Sequence, residues 1–237
     1  MAKYKIAWMP GDGVGVDVMD ATRTVLDAMK FDAEYIHADI GWEFWCTEGN
    51  PLPERTAEIL RNTDCGLFGA ITSKPRDEAH AELAPELQDT GLVYFSPIVQ
   101  LRQMFNLHTN MRPCKAYPGN PLNYRDDIDL MVFRANTEGM YGGVEESPVP
   151  EKIYEALCDN PKMIKWKEKG LENVAPSTRI MSRQACESLG RRPFVYASAH
   201  NRTSATLVDE AHVLRTTVRL SACAARQVAT VHPVVWR

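Results

Sequence analysis

Paired cysteines, long apolar runs and a surplus of positive charge are all missing from this 237-residue sequence. None of the six cysteines, at 46, 65, 114, 158, 186 and 223, forms a CxxC pair, so neither a zinc site nor a disulfide framework is indicated. They read as small buried hydrophobes of a reducing cytoplasm, which is the expected compartment. The apolar stretches fall far short of the roughly 20 residues that a membrane span needs. The stretch Met1–Met9 carries two lysines, is too short for a signal-peptide core and lacks a cleavage site. A net charge of −4 argues against a protein built to hold nucleic acid. Repeats and low-complexity tracts are absent as well.

What is present is ordinary for a soluble globular chain: 44% hydrophobic and 24% charged residues, enough for one large or two small domains. Charge is unevenly spread, because residues 215–237 hold four arginines and no acid.

Tyr4–Met9 reads as a buried strand ended by Pro10. A glycine-rich turn, Gly11–Gly15, follows. Val18, Thr22, Val25, Leu26 and Met29 then recur at helical spacing. Ala33–Ala38 reads as a second strand, Pro53 as the first residue of a helix through Leu60, and Cys65–Ile71 as a third strand. This alternation predicts an α/β fold with parallel pairing. The segment from Pro97 to Pro121 is less regular, and Ile128–Phe133 is a further strand. Gly142–Ser177 is polar and turn-rich, with one short helix around Ile153–Leu157, and reads as an arm or insertion. Thr178–Met181 and Ala205–Asp209 read as strands around a helical stretch from Arg183, which Gly190 and Pro193 are expected to interrupt. Leu220, Ala224 and Val228 keep helical spacing in the tail.

The turn Gly11-Asp12-Gly13-Val14-Gly15 lies between a strand and a helix. Its spacing is GxGxG rather than the dinucleotide-binding GxGxxG, and Asp39 is only a weak candidate for the acidic residue that should close a second strand. A plain tight turn and a phosphate cradle both remain open. The arginines carry more. Arg102 lies in Leu101-Arg102-Gln103, Arg112 in Asn110-Met111-Arg112-Pro113, and Arg134 ends a strand, with Tyr141 following. A single arginine is usually just solvated surface, but several converging guanidinium groups would bind a polycarboxylate bidentately.

These residues resemble the β-decarboxylating dehydrogenases, which include isocitrate, isopropylmalate, homoisocitrate and D-malate/tartrate dehydrogenases. The matching pieces are Pro10-Gly11-Asp12-Gly13-Val14-Gly15, Gly69-Ala70-Ile71-Thr72-Ser73, Leu101-Arg102, Asn110-Met111-Arg112-Pro113-Cys114-Lys115, and Arg134-Ala135-Asn136-Thr137-Glu138-Gly139 with Tyr141. The likeness runs in order from residue 4 to about 214.

The resemblance implies the isopropylmalate dehydrogenase-like two-domain α/β fold, which is not a Rossmann fold. It divides the chain into 1–107, the N-terminal part of a large domain; 108–214, a small domain with a dimer arm at about 142–177; and 215–237, a divergent tail. It implies oxidation of a malate-type 2-hydroxy acid with NAD or NADP and Mg²⁺ or Mn²⁺, followed by loss of carbon dioxide. Arg102, Arg112 and Arg134 would hold the carboxylates shared by these substrates. Tyr141 would protonate the enol carbon, and Ile71, Thr72 and Ser73 would line the nicotinamide end of the cofactor site. Ser96, in Ser96-Pro97-Ile98-Val99, offers a hydrogen bond to a third carboxylate, whereas Ile98 and Val99 offer packing for an isopropyl group. A homodimer, or a hetero-oligomer with a full-length relative, is the expected assembly, with no nucleic acid and no membrane.

Four departures from the family pattern stand out. In Val208-Asp209-Glu210-Ala211-His212-Val213-Leu214, Glu210 replaces the family's lysine and His212 its asparagine, which reverses a charge and removes a proton donor at neutral pH. Ala135 replaces a glutamate. Gly190 and Pro193 break a helical pattern. The family's metal-binding aspartates and adenosine-gripping loop have no counterpart in the sequence, so no metal site is expected in this chain. The family activity is therefore expected to be absent from the chain alone. A catalytically dead remnant, or a non-catalytic partner or binding subunit that senses a tricarboxylate, is the alternative.

Overall fold

The computed structural model describes every residue except Met1, Glu210, Ala211, Val213, Pro233, Val234 and Arg237. The chain divides into two units, residues 1–101 and 102–237. The division falls six residues before the expected boundary between 107 and 108, and the tail belongs to the second unit.

The first unit begins with β1 (Tyr4–Gly11), α1 (Val14–Ala28), β2 (Ala33–His37), α2 (Trp42–Glu48), α3 (Glu54–Arg61) and β3 (Cys65–Ala70). It continues with α4 (Arg76–Ala81), α5 (Pro85–Gln88) and α6 (Pro97–Met104), the last of which contains the division. The three strands form a parallel sheet in the order β2-β1-β3. β1 runs two residues past the expected stop: Pro10 lacks an N–H, yet Gly11 still pairs with Ala70. Pro53 sits just outside α3 rather than at its first position.

Helices cover both faces of the sheet. On one face Arg23 of α1 lies over Trp8 and Tyr35, its guanidinium 6.0 and 4.3 Å from their ring centroids. On the other, Leu60 of α3 packs beside Met9 and Gly66. Ile6, Ala7 and Met9 of β1 are buried accordingly. A second core forms where Trp45 of α2 meets Ala79 and Leu83, with Leu87, Leu92 and Tyr94 around it. The indole N–H of Trp45 donates to the Ala79 carbonyl at 2.7 Å, so its burial leaves no donor unmet.

The second unit comprises β4 (Thr109–Lys115), β5 (Asp129–Ala135), β6 (Gly139–Glu145), α7 (Glu151–Cys158), α8 (Ile164–Lys167), β7 (Ser177–Ile180), α9 (Arg183–Ala199), β8 (Ser204–Ala205), α10 (Arg215–Ala229) and β9 (Val235–Trp236). β4 and β5 form an antiparallel ribbon, as do β6 and β7, while β8 and β9 pair in parallel. α9 covers one face of the first ribbon, where Phe133 meets Tyr196 edge-on at 5.6 Å. Arg202 donates to the Asp129 carboxylate at 2.8 Å and to its carbonyl at 3.1 Å, tying the end of α9 to the start of β5.

Two expectations about this unit fail. α9 does not break at Gly190 and Pro193. Tertiary packing overrides the local cost: Phe194, immediately after the proline, is buried against Val228 and Ala229 of α10. A Cβ at Gly190 would stand only 3.4 Å from the Ala225 Cα, so the glycine is where the two helices meet. The strand read over Ala205–Asp209 is only Ser204–Ala205. The tail is helical over α10, as its spacing indicates. Among the described residues no helix is long and apolar enough to cross a membrane.

The glycine turn after β1 is explained by close approach. A Cβ at Gly15 would lie 2.3 Å from the Pro10 carbonyl oxygen and 2.5 Å from that of Ala70, and a Cβ at Gly11 would lie 1.9 Å from the latter. Both clashes are with backbone, which cannot swing aside. The substitution Gly15→Ala should push α1 off β3 and cost roughly 1–3 kcal/mol, the usual penalty of overpacking. A urea titration measures it; an unchanged midpoint would show that α1 and β3 separate freely.

Candidate functional site

In the first unit, the carboxyl ends of β1, β2 and β3 meet at one side chain. Asp12 follows β1. One of its carboxylate oxygens accepts the Thr72 N–H at 2.7 Å and the Thr72 hydroxyl at 2.5 Å. The other accepts the Trp42 N–H at 2.6 Å, at the start of α2 beyond β2. Carboxyl ends of parallel strands are where open α/β sheets bind ligands.

The loop after β3 is held along its length. The Ile71 side chain lies against Gly11 and Gly41. Thr72 is bound by Asp12. The Ser73 hydroxyl is 3.1 Å from the Tyr94 hydroxyl. Lys74 pairs with Glu82 and stands 5.4 Å from the centre of the Trp42 ring. Burial raises the Tyr94 pKa, with the Asp12 charge adding and the Ser73 hydrogen bond opposing, so this phenol stays neutral at physiological pH. Asp39, the weak candidate for a ribose-binding acid, is occupied by Arg55 at 2.7 Å and faces His37 at 3.3 Å. Ser96 is half-buried, and its carbonyl accepts the Val99 and Gln100 N–H groups that open α6.

In the second unit, three of the expected residues come together. Arg134 donates to the Tyr141 hydroxyl. The Arg134 and Arg102 guanidinium groups stand 5.1 and 5.5 Å from the Tyr141 ring centre. Arg112 shares a ribbon face with Arg134, because Asn110 lies opposite Arg134 in the register and Arg112 is two residues along. Such diagonal neighbours are about 7–8 Å apart. α9 covers the opposite face, so this one is left open. The Arg112 Nε–H donates to the Asn110 side chain at 3.3 Å. Among the described residues none of the three arginines has a carboxylate partner, although Arg23, Arg55, Arg61, Arg125 and Arg202 each have one.

Two further residues hold this cluster in place, in roles that residue type and spacing do not reveal. Asn136 is buried; its backbone N–H donates to the His108 carbonyl and its amide to that of Leu107, each at 3.1 Å. Glu138 accepts the Ser182 N–H and hydroxyl, each at 2.7 Å, while the Ser182 hydroxyl caps α9 by accepting the Ala185 N–H. Arg134-Ala135-Asn136-Thr137-Glu138-Gly139 is thus anchored at both ends of its turn. Glu210, expected at the catalytic lysine's position, lies outside the described residues.

A family model described as isocitrate/isopropylmalate dehydrogenase matches residues 5–236. The chain belongs to the isocitrate/isopropylmalate dehydrogenase family. It is 35% identical over 213 residues to the protein DlpA of Legionella pneumophila, covering 89% of this chain and 33% of that protein. It is 33% identical over 217 residues to the 3-isopropylmalate dehydrogenase of Methanothermobacter thermautotrophicus, covering 92% of this chain and 53% of the enzyme. The crystal structure of isocitrate dehydrogenase from Methylococcus capsulatus superimposes with a TM-score of 0.76 at 27% identity, covering 98% of this chain and 59% of that one. The fold is therefore the isopropylmalate dehydrogenase-like α/β fold, not a Rossmann fold. The chain spans between a third and about three-fifths of the length of these proteins.

The two groups that the family implies do not fit equally well. Among the described residues no three His, Cys, Asp or Glu side chains are grouped to hold a metal ion. The loop at Thr72 is different. The hydroxyl donates its hydrogen bond to Asp12, which leaves lone pairs for a ligand N–H, and a nicotinamide carboxamide carries such a donor.

The anchoring role of Glu138 gives a prediction. The substitution Glu138→Ala removes a carboxylate that accepts two hydrogen bonds from Ser182, and charged acceptors contribute about 1.5–3 kcal/mol each. A loss of roughly 2–4 kcal/mol in unfolding free energy is expected by chemical denaturation. A change within 0.5 kcal/mol, about the spread of unremarkable surface substitutions, would count against the anchor.

Proposed function

We propose that this chain carries the carboxylate-binding and nicotinamide-facing parts of an oxidoreductase that decarboxylates malate-type 2-hydroxy acids. The substrate class is isocitrate, homoisocitrate or isopropylmalate. The observation that carries the reading is the set of three arginines that have no carboxylate partner among the described residues, two of them gathered on Tyr141. Guanidinium groups are planar, permanently charged donors whose forks match carboxylates.

Arg102, Arg112 and Arg134 bind and orient the two carboxylates of the malate skeleton. Arg134 can only donate, so the Tyr141 oxygen accepts from it. Tyr141 therefore keeps its own O–H free to deliver a proton to the carbon left electron-rich when carbon dioxide departs. A bound nicotinamide dinucleotide supplies the hydride acceptor, and Ile71, Thr72 and Ser73 form its seat. Ser96 adds a hydrogen bond for a substrate with a third carboxylate.

Association belongs to the same proposal. Val144, Ile153, Leu157, Ile164 and Trp166 of the 142–177 segment are exposed apolar residues, consistent with an arm that packs on a second copy or on a longer relative.

Calorimetric titration of the chain with isocitrate, homoisocitrate, isopropylmalate and D-malate tests the reading. At least one should bind, with an affinity that falls as salt rises. The substitution Arg134→Gln should weaken it by about tenfold to a hundredfold, the equivalent of one charge-assisted hydrogen bond. Absence of binding by all four, or equal binding by the variant, would overturn it.

A further inference from the structure

The seat for the nicotinamide is set by a residue outside it. We infer that Asp12 is a positioning residue that fixes the Thr72 hydroxyl as a hydrogen-bond acceptor, so that the site selects a ligand with an amide N–H at that point. The inference rests on the proposed nicotinamide seat and adds the device that gives it polarity.

A threonine hydroxyl has one proton and two lone pairs and ordinarily rotates to suit its ligand. Here its freedom is removed. The hydroxyl oxygen lies 2.5 Å from an Asp12 oxygen, a separation typical of a strong O–H···O⁻ bond. Asp12 in turn cannot rotate away. The same oxygen accepts the Thr72 N–H, and the other accepts the Trp42 N–H, so both oxygens are tied to backbone donors on two separate loops. An ionised carboxylate is the one side chain of this size that can accept from all three. The proton of Thr72 thus always points at Asp12, and only acceptor capacity remains. A carboxamide can donate there, whereas a methyl ketone in the same place cannot.

Asparagine at position 12 loses a hydrogen bond in either orientation, but only one orientation frees the hydroxyl, so alanine is the decisive substitution. With its oxygen toward Thr72, its NH₂ faces the Trp42 N–H, two donors in opposition. Turned over, its NH₂ faces both the Thr72 N–H and the hydroxyl. The hydroxyl must then accept from the amide, and its proton is released toward the ligand.

The test is the ratio of two affinities. NAD⁺ and its 3-acetylpyridine analogue, in which a methyl ketone replaces the carboxamide, are titrated calorimetrically into the whole chain. The chain should bind NAD⁺ about three- to tenfold more tightly than the analogue, the weight of one neutral hydrogen bond. In the substitution Asp12→Ala, which leaves the Thr72 hydroxyl free to rotate, the ratio should fall to within about twofold. Thr72→Val should do the same, and Thr72→Ser, which keeps the hydroxyl, should retain the preference. A purely structural role for Asp12 would weaken both ligands together and leave their ratio intact, and that result overturns the inference. Equal binding of both ligands by the unaltered chain also overturns it while leaving the nicotinamide seat standing. Failure of the unaltered chain to bind either ligand overturns the seat, and the inference with it.

Discussion

The Asp12 carboxylate is the constraint on which the first unit depends. It lies at the point where three parallel strands release the chain into loops, and it supplies an acceptor to donors 30 and 60 residues further on. Without it two backbone N–H groups and a hydroxyl would need other partners, in a half-buried place where unmet donors are costly. The adjoining glycines belong to the same joint. Gly11 and Gly15 let the turn lie flat on the β3 backbone, which brings Asp12 within reach of Thr72. A motif that invites a phosphate-binding interpretation is in fact filled by the protein's own backbone and carboxylate.

The second unit works in the opposite sense. Its turn between β5 and β6 is also tied by a carboxylate, Glu138, but among the described residues the cations beside it have no acid partner. Asp129 is claimed by Arg202, and that pairing lowers the Asp129 pKa. Burial, with the charge of Arg192 adding to it, holds His108 below the usual histidine range, so this neighbour of β4 contributes little positive charge at neutral pH. The local field therefore comes from guanidinium groups whose charge does not vary with pH.

The legible parts of the sequence were those whose cause is local. Strands β1 to β3 show as apolar runs, and the arginines and Tyr141 show as residue types at characteristic spacing. The parts that failed depend on distant partners. β4 was hidden because Pro113 interrupts its pattern, which a two-stranded ribbon tolerates since each strand has a free edge. The α9 helix survives Pro193 because α10, thirty residues on, gives Phe194 somewhere to be buried. Asp12, Asn136 and Glu138 read as ordinary turn residues, because nothing in the sequence says which donors will reach them.

The protein carries a net charge of −4, yet its candidate site collects arginines. These facts are compatible because they act at different ranges. At physiological ionic strength exposed charges are screened beyond roughly 8 Å, so the net charge hardly reaches an approaching dicarboxylate. What an anion at this site would meet is the cluster itself, with cations close enough to act together and, among the described residues, no acid paired with them. Recognition is thereby confined to contact distance, where the spacing of two carboxylates can be matched to the spacing of the guanidinium groups. A long-range positive field would gather any polyanion, nucleic acid included. An acidic chain with a short-range cationic site discriminates by shape, as the proposed binding of small polycarboxylates requires.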